Sequence, residues 1–319
     1  MANLTTAADI VDYILANANE STDGSSSHEG DALIFLNRAY QALADGGGEL
    51  LPGNRETWWW LRKDPPAVLT LEPFIETGSV AVTNNSTTIT FSSAPTKDLD
   101  NWFFKVTGHG DVFRISAHTS GAAAATLDAV YTGDTDATAS YRVFKLEYEL
   151  ASDLRELLSP MRVTRDDRRE IEGADMMGME DLWPLSRVGT GVPRMFAMVD
   201  ETKVRFSHYG GLDSTDLIRV EYDYNFVPTD LTDAAGSVPV VPRHHRHVLA
   251  DYATYMMALR KGDSRAANFL SSAQAGAQAM MVEQKKRQSQ IGRHYGRIFT
   301  RQKLRWPRQL RTESGLIVG

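Results

Sequence analysis

Apolar residues recur at helical spacing most persistently between residues 243 and 288. Val248, Leu249, Tyr252, Tyr255, Met256 and Leu259 make one stripe; Ala266, Phe269, Leu270, Ala273, Ala277, Met280 and Met281 make a second. Between them lies Gly262-Asp263, where glycine suits the left-handed end of a helix and Asp263 or Ser264 can cap the next. Pro239 and Pro242 bar any helix from entering upstream. The pattern predicts a helical hairpin with arms of about 28 and 37 Å. Such long stripes need a cover, because helices owe most of their stability to packing. Two N-terminal helices supply it. Ile10, Val11, Ile14 and Leu15 follow a cap at Thr5 or Thr6, and Leu33, Ile34, Leu36, Tyr40 and Leu43 form the second face.

From Ala67 the period changes to two. Asn84-Asn85 between alternating runs is a hairpin signal, Trp102, Phe104 and Val106 share one face, and further runs at 112–116 and 141–149 follow. Residues 67–149 therefore read as one antiparallel β module, barrel- or sandwich-like. A short helix capped by Ser152 (SDLREL) and another at 174–182 come next, then a small meander from 195 to 225. The expected class is α+β. It comprises N-terminal core helices (1–66), the inserted β module (67–149), short core helices (150–194), meander and crossover (195–242), the hairpin (243–288) and a basic C-terminal arm (289–319).

Charge sharpens the last of these. The net charge is −7, yet Lys285, Lys286, Arg287, Arg293, Arg297, Arg301, Lys303, Arg305, Arg308 and Arg311 follow Glu283 with no acid before Glu313. Removing those ten from 34 Lys and Arg leaves 24 against 41 acids, so the body is about −17 and the tail +10. Tyr295, Ile298, Phe299, Leu304, Trp306 and Leu310 interleave with the cations, which a purely solubilising tail has no reason to carry. Arginine with large aromatics is the composition of interface anchors, so an acidic, partly apolar groove on another protein is favoured over nucleic acid.

Chemistry of other kinds finds little support. There is no cysteine, hence no disulfide, thiol catalysis or Cys-ligated metal. His244, His247 and Asp251 share helical faces at i, i+3 and i, i+4, with His245 beside them. No HExxH or further acid motif accompanies them, and Arg246 stands in their midst. They read as polar first-turn residues at a helix end, and no metal is expected. Asp128, Asp134 and Asp136 lack the spacing of a calcium loop, and Gly46-Gly47-Gly48 follows a helix where a phosphate loop would precede one. No catalytic residue and no cofactor are expected. Trp58, Trp59 and Trp60, just before Pro65-Pro66, suit a core or subunit interface better than a stacking platform for sugars or bases. The N-terminus, with Asp9 and Asp12 and no basic start, is an amphipathic helix, and no apolar run of membrane length occurs.

The order of segments carries a resemblance. FLNRAYQAL, a WWWLRKDPP corner, the β run TGSVAVTNNSTTITFSSAP with WFFKVTGHGDVFRISAHTSG, then VEYDYNFVPTDLTD and VPVVPRHHRHVLADYATYMMALRKGD stand before a basic tail. Over most of residues 1–288 this resembles the head-to-tail adaptor (head-completion, connector) proteins of tailed bacteriophages, in versions with an inserted β domain. The resemblance implies a virion protein at the head–tail junction, assembled as a ring, usually of twelve copies, beneath the portal. Its partners would be the portal protein, a downstream tail or nozzle protein, neighbouring copies, and the packaged double-stranded DNA passing through the channel, with no membrane. It also implies a C-terminal arm on the portal and no catalytic residues. Composition alone selects the arm residues: Arg293, Tyr295, Arg297, Phe299, Arg301, Lys303, Arg305, Trp306, Arg308, Leu310 and Arg311. Two other classes stand beside this: a glycan-binding tail module using the β module and tryptophans, and a DNA-binding protein acting through the arm.

Overall fold

The computed structural model describes the backbone of residues 4–18, 26–53, 57–164, 169–211, 217–232 and 236–302, with side chains as far as Arg287. Two compact units emerge: Met1–Leu61 with Pro228–Gly319, and the continuous stretch Arg62–Val227. The architecture is mixed α+β. The described helices are α1 (Ala7–Asn17), α2 (Ser26–Ala44), α3 (Met176–Leu182), α4 (Arg246–Lys261) and α5 (Ala266–Gln302).

The first unit is helical and is built from α1, α2, α4 and α5. A capping box opens α1: Asp9 N–H donates to the Thr6 hydroxyl, and the Asp9 carboxylate accepts from Thr6 N–H at 2.9 Å. Ile10, Val11, Ile14 and Leu15 of α1 join Leu36, Tyr40 and Leu43 of α2 and Val248, Leu249 and Tyr252 of α4 in one core. Gly262, at φ 69°, ends α4 in the left-handed conformation that its lack of a side chain allows. The α4–α5 seam is close. Ala273 and Ala277 are fully buried, and a Cβ on Gly276 would come within 2.6 Å of Val248 Cγ2.

Three expectations change here. Leu259 and Ile34 lie off the buried stripe and are exposed. Met280 is buried, but Phe269 and Met281 are only partly so. The hairpin does not give way to an extended arm at 289. Helix α5 runs on to Gln302, about 55 Å in all, because the stretch is rich in Gln and Arg and meets no proline before Pro307.

The second unit holds β1 (Ala67–Thr70), β2 (Val80–Val82), β3 (Thr88–Phe91), β4 (Phe103–Val106), β5 (Phe113–Ala117), β6 (Ala124–Leu127), β7 (Asp136–Ala139), β8 (Tyr141–Phe144) and β9 (Glu147–Glu149). It continues with β10 (Leu154–Leu157), β11 (Arg162–Val163), β12 (Glu172–Ala174), β13 (Gly189–Thr190), β14 (Met195–Met198), β15 (Lys203–Phe206), β16 (His208–Tyr209), β17 (Arg219–Tyr222) and β18 (Tyr224–Phe226). Seven strands form a nearly closed antiparallel sheet in the order β7-β2-β3-β6-β5-β4-β8. Its two borders, β7 and β8, are successive pieces of one segment, with only Ser140 between them. Val80, Ile89, Phe91, Phe104, Ile115 and Val143 fill its interior.

The β unit extends past the expected module. β1 pairs with β17 (Ala67 with Tyr222) and β9 with β15 (Glu149 with Lys203), so cuts at 67 and 149 would pass through sheets. The helix expected in SDLREL is strand β10, paired with β18 through Leu154–Phe226 and Leu157–Tyr224. Leu154 and Leu157 are spaced as on a helix, but ladder pairing overrides that propensity. The second short helix forms as α3, capped by Asp175 on Gly178 N–H. The ends of the unit meet: Lys63 N–H donates to the Tyr224 carbonyl at 2.9 Å, and Arg62 bridges Asn225. Among the described residues no helix is long and apolar enough to cross a membrane.

Candidate functional site

The helical unit concentrates its polar chemistry where α5 meets the start of α4 and the tryptophan corner. Trp58 is buried and its Nε1–H donates to the Leu43 carbonyl. Its ring stacks on Trp60 with centroids 6.5 Å apart, and Trp60 stacks in turn on Tyr40. Trp58 and Trp60 are thus core of this unit, and of the three expected interface residues only Trp59 offers a face to solvent. That face is covered in part by the Arg287 guanidinium, 4.0 Å from the ring centroid. A stacking platform for sugars or bases would need open rings in series, which this corner does not provide.

Around that corner α5 is tied down by amides. Gln284 is buried and donates to the Thr57 carbonyl at 2.8 Å, and Gln274 donates to the Glu49 carbonyl at 3.2 Å. On the α4 side, Asp251 accepts from Tyr13 OH at 2.9 Å and from Ser272 OH at 2.6 Å, linking α1, α4 and α5 through one buried carboxylate. The Tyr13 hydroxyl is pushed up to about 12, by burial first and by the Asp251 charge second. It therefore stays a donor throughout the neutral range.

The histidines stand at the start of α4. His247 does not converge with Asp251; its Nδ1 is 3.0 Å from the His244 carbonyl. His244 and His245, in the short 3₁₀ turn ahead of α4, instead meet Glu283 of α5. Both Nε2 atoms approach the same oxygen, Glu283 Oε2, at 3.0 and 2.8 Å. Arg287 takes the other oxygen, Oε1, through Nε at 2.9 Å and Nη2 at 2.7 Å. Hydrogen bonds from His244, Arg287 and His245 hold the Glu283 carboxyl down at about 2, while burial holds His245 below its ordinary value. Arg246 lies buried with its guanidinium turned to the carbonyls of Val241, Leu4, Thr5 and Pro239. Sequence spacing missed Glu283 because its partners are 38 and 39 residues away, across the hairpin corner.

Of the expected arm, Arg293, Tyr295, Arg297, Phe299 and Arg301 fall on α5, where the arginines recur at every fourth residue. Lys303, Arg305, Trp306, Arg308, Leu310 and Arg311 lie outside the described residues. A family model described as SU10 adaptor protein matches residues 119–298, more than half of the chain. The chain belongs to the SU10 adaptor protein family. The match begins inside the β unit and ends on α5, so it takes in the Glu283 cluster and the first basic turns beyond it. Membership in this phage adaptor family makes the chain a structural adaptor that works with other phage structural proteins. No curated protein matches it.

Proposed function

We propose that the chain is a structural virion protein that forms a ring joining the phage portal to the tail, extends the channel for packaged double-stranded DNA, and docks on the portal through residues 289–319. The observation that carries this reading is helix α5. Its first half is fixed in the helical core by Ala273, Ala277, Met280 and Gln284, and the same helix then continues into a segment whose only charges are positive. A rigid root with a basic, aromatic-rich extension suits an arm that reaches an acidic, partly apolar groove on a partner. An acidic body suits a passage for DNA, since a wall that bound phosphates tightly would slow their transit. Ring closure would use two different faces of each copy, and the free end of the ring would receive the downstream tail protein.

The experiment is a cut after Gln288. Among the described residues the last buried side chains, Met280 and Gln284, precede it, so the melting temperature should stay nearly unchanged while portal binding is lost. In the full chain, Trp306→Ala should weaken portal binding by about 2 kcal/mol or more, as a buried aromatic anchor does. Arg308→Ala should cost about 0–1 kcal/mol and mainly reduce the salt dependence. If both single changes were harmless and only removal of all the cations abolished binding, the groove reading would fall. The tail would then be an electrostatic tether, with DNA its better partner.

A further inference from the structure

The meeting of His244, His245 and Glu283 has more donor atoms than a tether needs. One histidine on Oε2 would already join the turn before α4 to α5; two imidazole Nε2 atoms on a single carboxylate oxygen form a convergent set. The three ligand atoms all lie within 4.8 Å of one another, and among the described residues this is where three such groups come together. A tetrahedral shell with metal–ligand distances near 2.1 Å spaces its donors by about 3.4 Å. The observed 3.0 and 2.8 Å separations need to open by roughly half an ångström to admit the ion.

We propose that His244, His245 and Glu283 form a site for one divalent ion of the zinc class, bound by two imidazole nitrogens and one carboxylate oxygen. The ligand set is nitrogen and oxygen, which suits Zn²⁺, Co²⁺ or Ni²⁺ over Mg²⁺ or Ca²⁺. The side chain of His244 is 59% exposed, so the fourth position opens to water and the ion has an entry path. His245, at the buried end, fixes the inner wall. Arg287 grips Oε1 alone, which leaves Oε2 as a monodentate ligand and orients the carboxylate, the part that outer partners play in metal sites. The sequence-level objection, the charge of Arg246, is met by the four backbone carbonyls that its guanidinium faces. The bound ion would lock α5 to the start of α4 just before the basic segment begins. This assignment stands independently of what that segment docks on.

The test uses the full-length chain, free of any polyhistidine tag and stripped with EDTA. Zinc titrated by calorimetry should bind saturably near one equivalent and raise the melting temperature; calcium and magnesium should do neither. Cobalt should give the visible d–d absorption of a low-symmetry four- or five-coordinate site. His244→Gln changes an exposed side chain, so its fold in EDTA should match the parent while zinc affinity drops by at least about tenfold. Glu283→Gln should abolish the cobalt spectrum. Absence of saturable zinc binding in the parent overturns the proposal. So does zinc binding that His244→Gln leaves unchanged, since the ion would then lie elsewhere.

Discussion

The helical unit and the β unit solve the problem of chain closure in opposite ways. The β unit is continuous, and its two ends pair with each other at Lys63–Tyr224 and Arg62–Asn225. The helical unit is interrupted: its halves, Met1–Leu61 and Pro228–Gly319, must meet across everything between. Closing a flexible interruption of that length would cost about 4–5 kcal/mol. A folded insert whose ends already lie on one ladder removes most of that cost. The helical unit also spends its polar groups on joining distant segments, as Asn37 does by donating to the Leu231 carbonyl at 3.0 Å and accepting from Leu231 N–H at 2.8 Å. In the β unit the backbone ladders do that work, and its apolar side chains separate into several clusters.

The contrast can be broken most severely by choosing where to cut. Replacing Arg62–Val227 with a short Gly/Ser linker should leave a helical unit that melts in one calorimetric transition. Replacing only 67–149 should not, because β15 and β17 lose β9 and β1 and expose the face around Val204, Val220 and Tyr222. A soluble product with a single cooperative transition from the shorter cut would show that the barrel is separable after all. Next in size is the tryptophan corner. Trp58→Ala should destabilise the helical unit by about 3–5 kcal/mol in urea titrations, whereas Trp59→Ala should cost about 1 kcal/mol or less. Equal effects would mean that the corner packs otherwise.

The smallest effect belongs to the β unit and depends on pH. Burial, and then the charges of Arg194 and Arg169, hold His208 below its ordinary pKa, with Ser207 Oγ 2.9 Å from Nδ1. The unfolded chain therefore takes up that proton more readily than the folded one. The contribution is complete above about pH 6.5 and is lost as pH falls below it. His208→Gln should flatten the stability profile in that window; an unchanged slope would assign it to other groups.

The helical unit was largely legible because its helices are long enough to show a period. Thr6, Gly262 and the stripes through Val248 and Ala273 follow directly from spacing and capping chemistry. The barrel was legible in its first half, where Asn85 takes a positive φ of 58° in a recognisable turn. Between Leu150 and Ala174 the reading failed for a physical reason. Strands of two to four residues, such as β11 and β12, are too short to display alternation, and their partners β17 and β14 come later in the chain. Glu283 was hidden in the same way, since pairing across a hairpin corner leaves no trace in local spacing.

The junction at Ser140 bears on how the edges of the seven-stranded sheet are protected. Exposed sheet edges are templates on which a second chain can add a strand, and the product is an aggregate. Because one segment supplies both borders of the seven-stranded sheet, its first half pairs with β2 and its second half with β4 of the same molecule. The barrel therefore presents less open edge than a flat sheet of seven strands would.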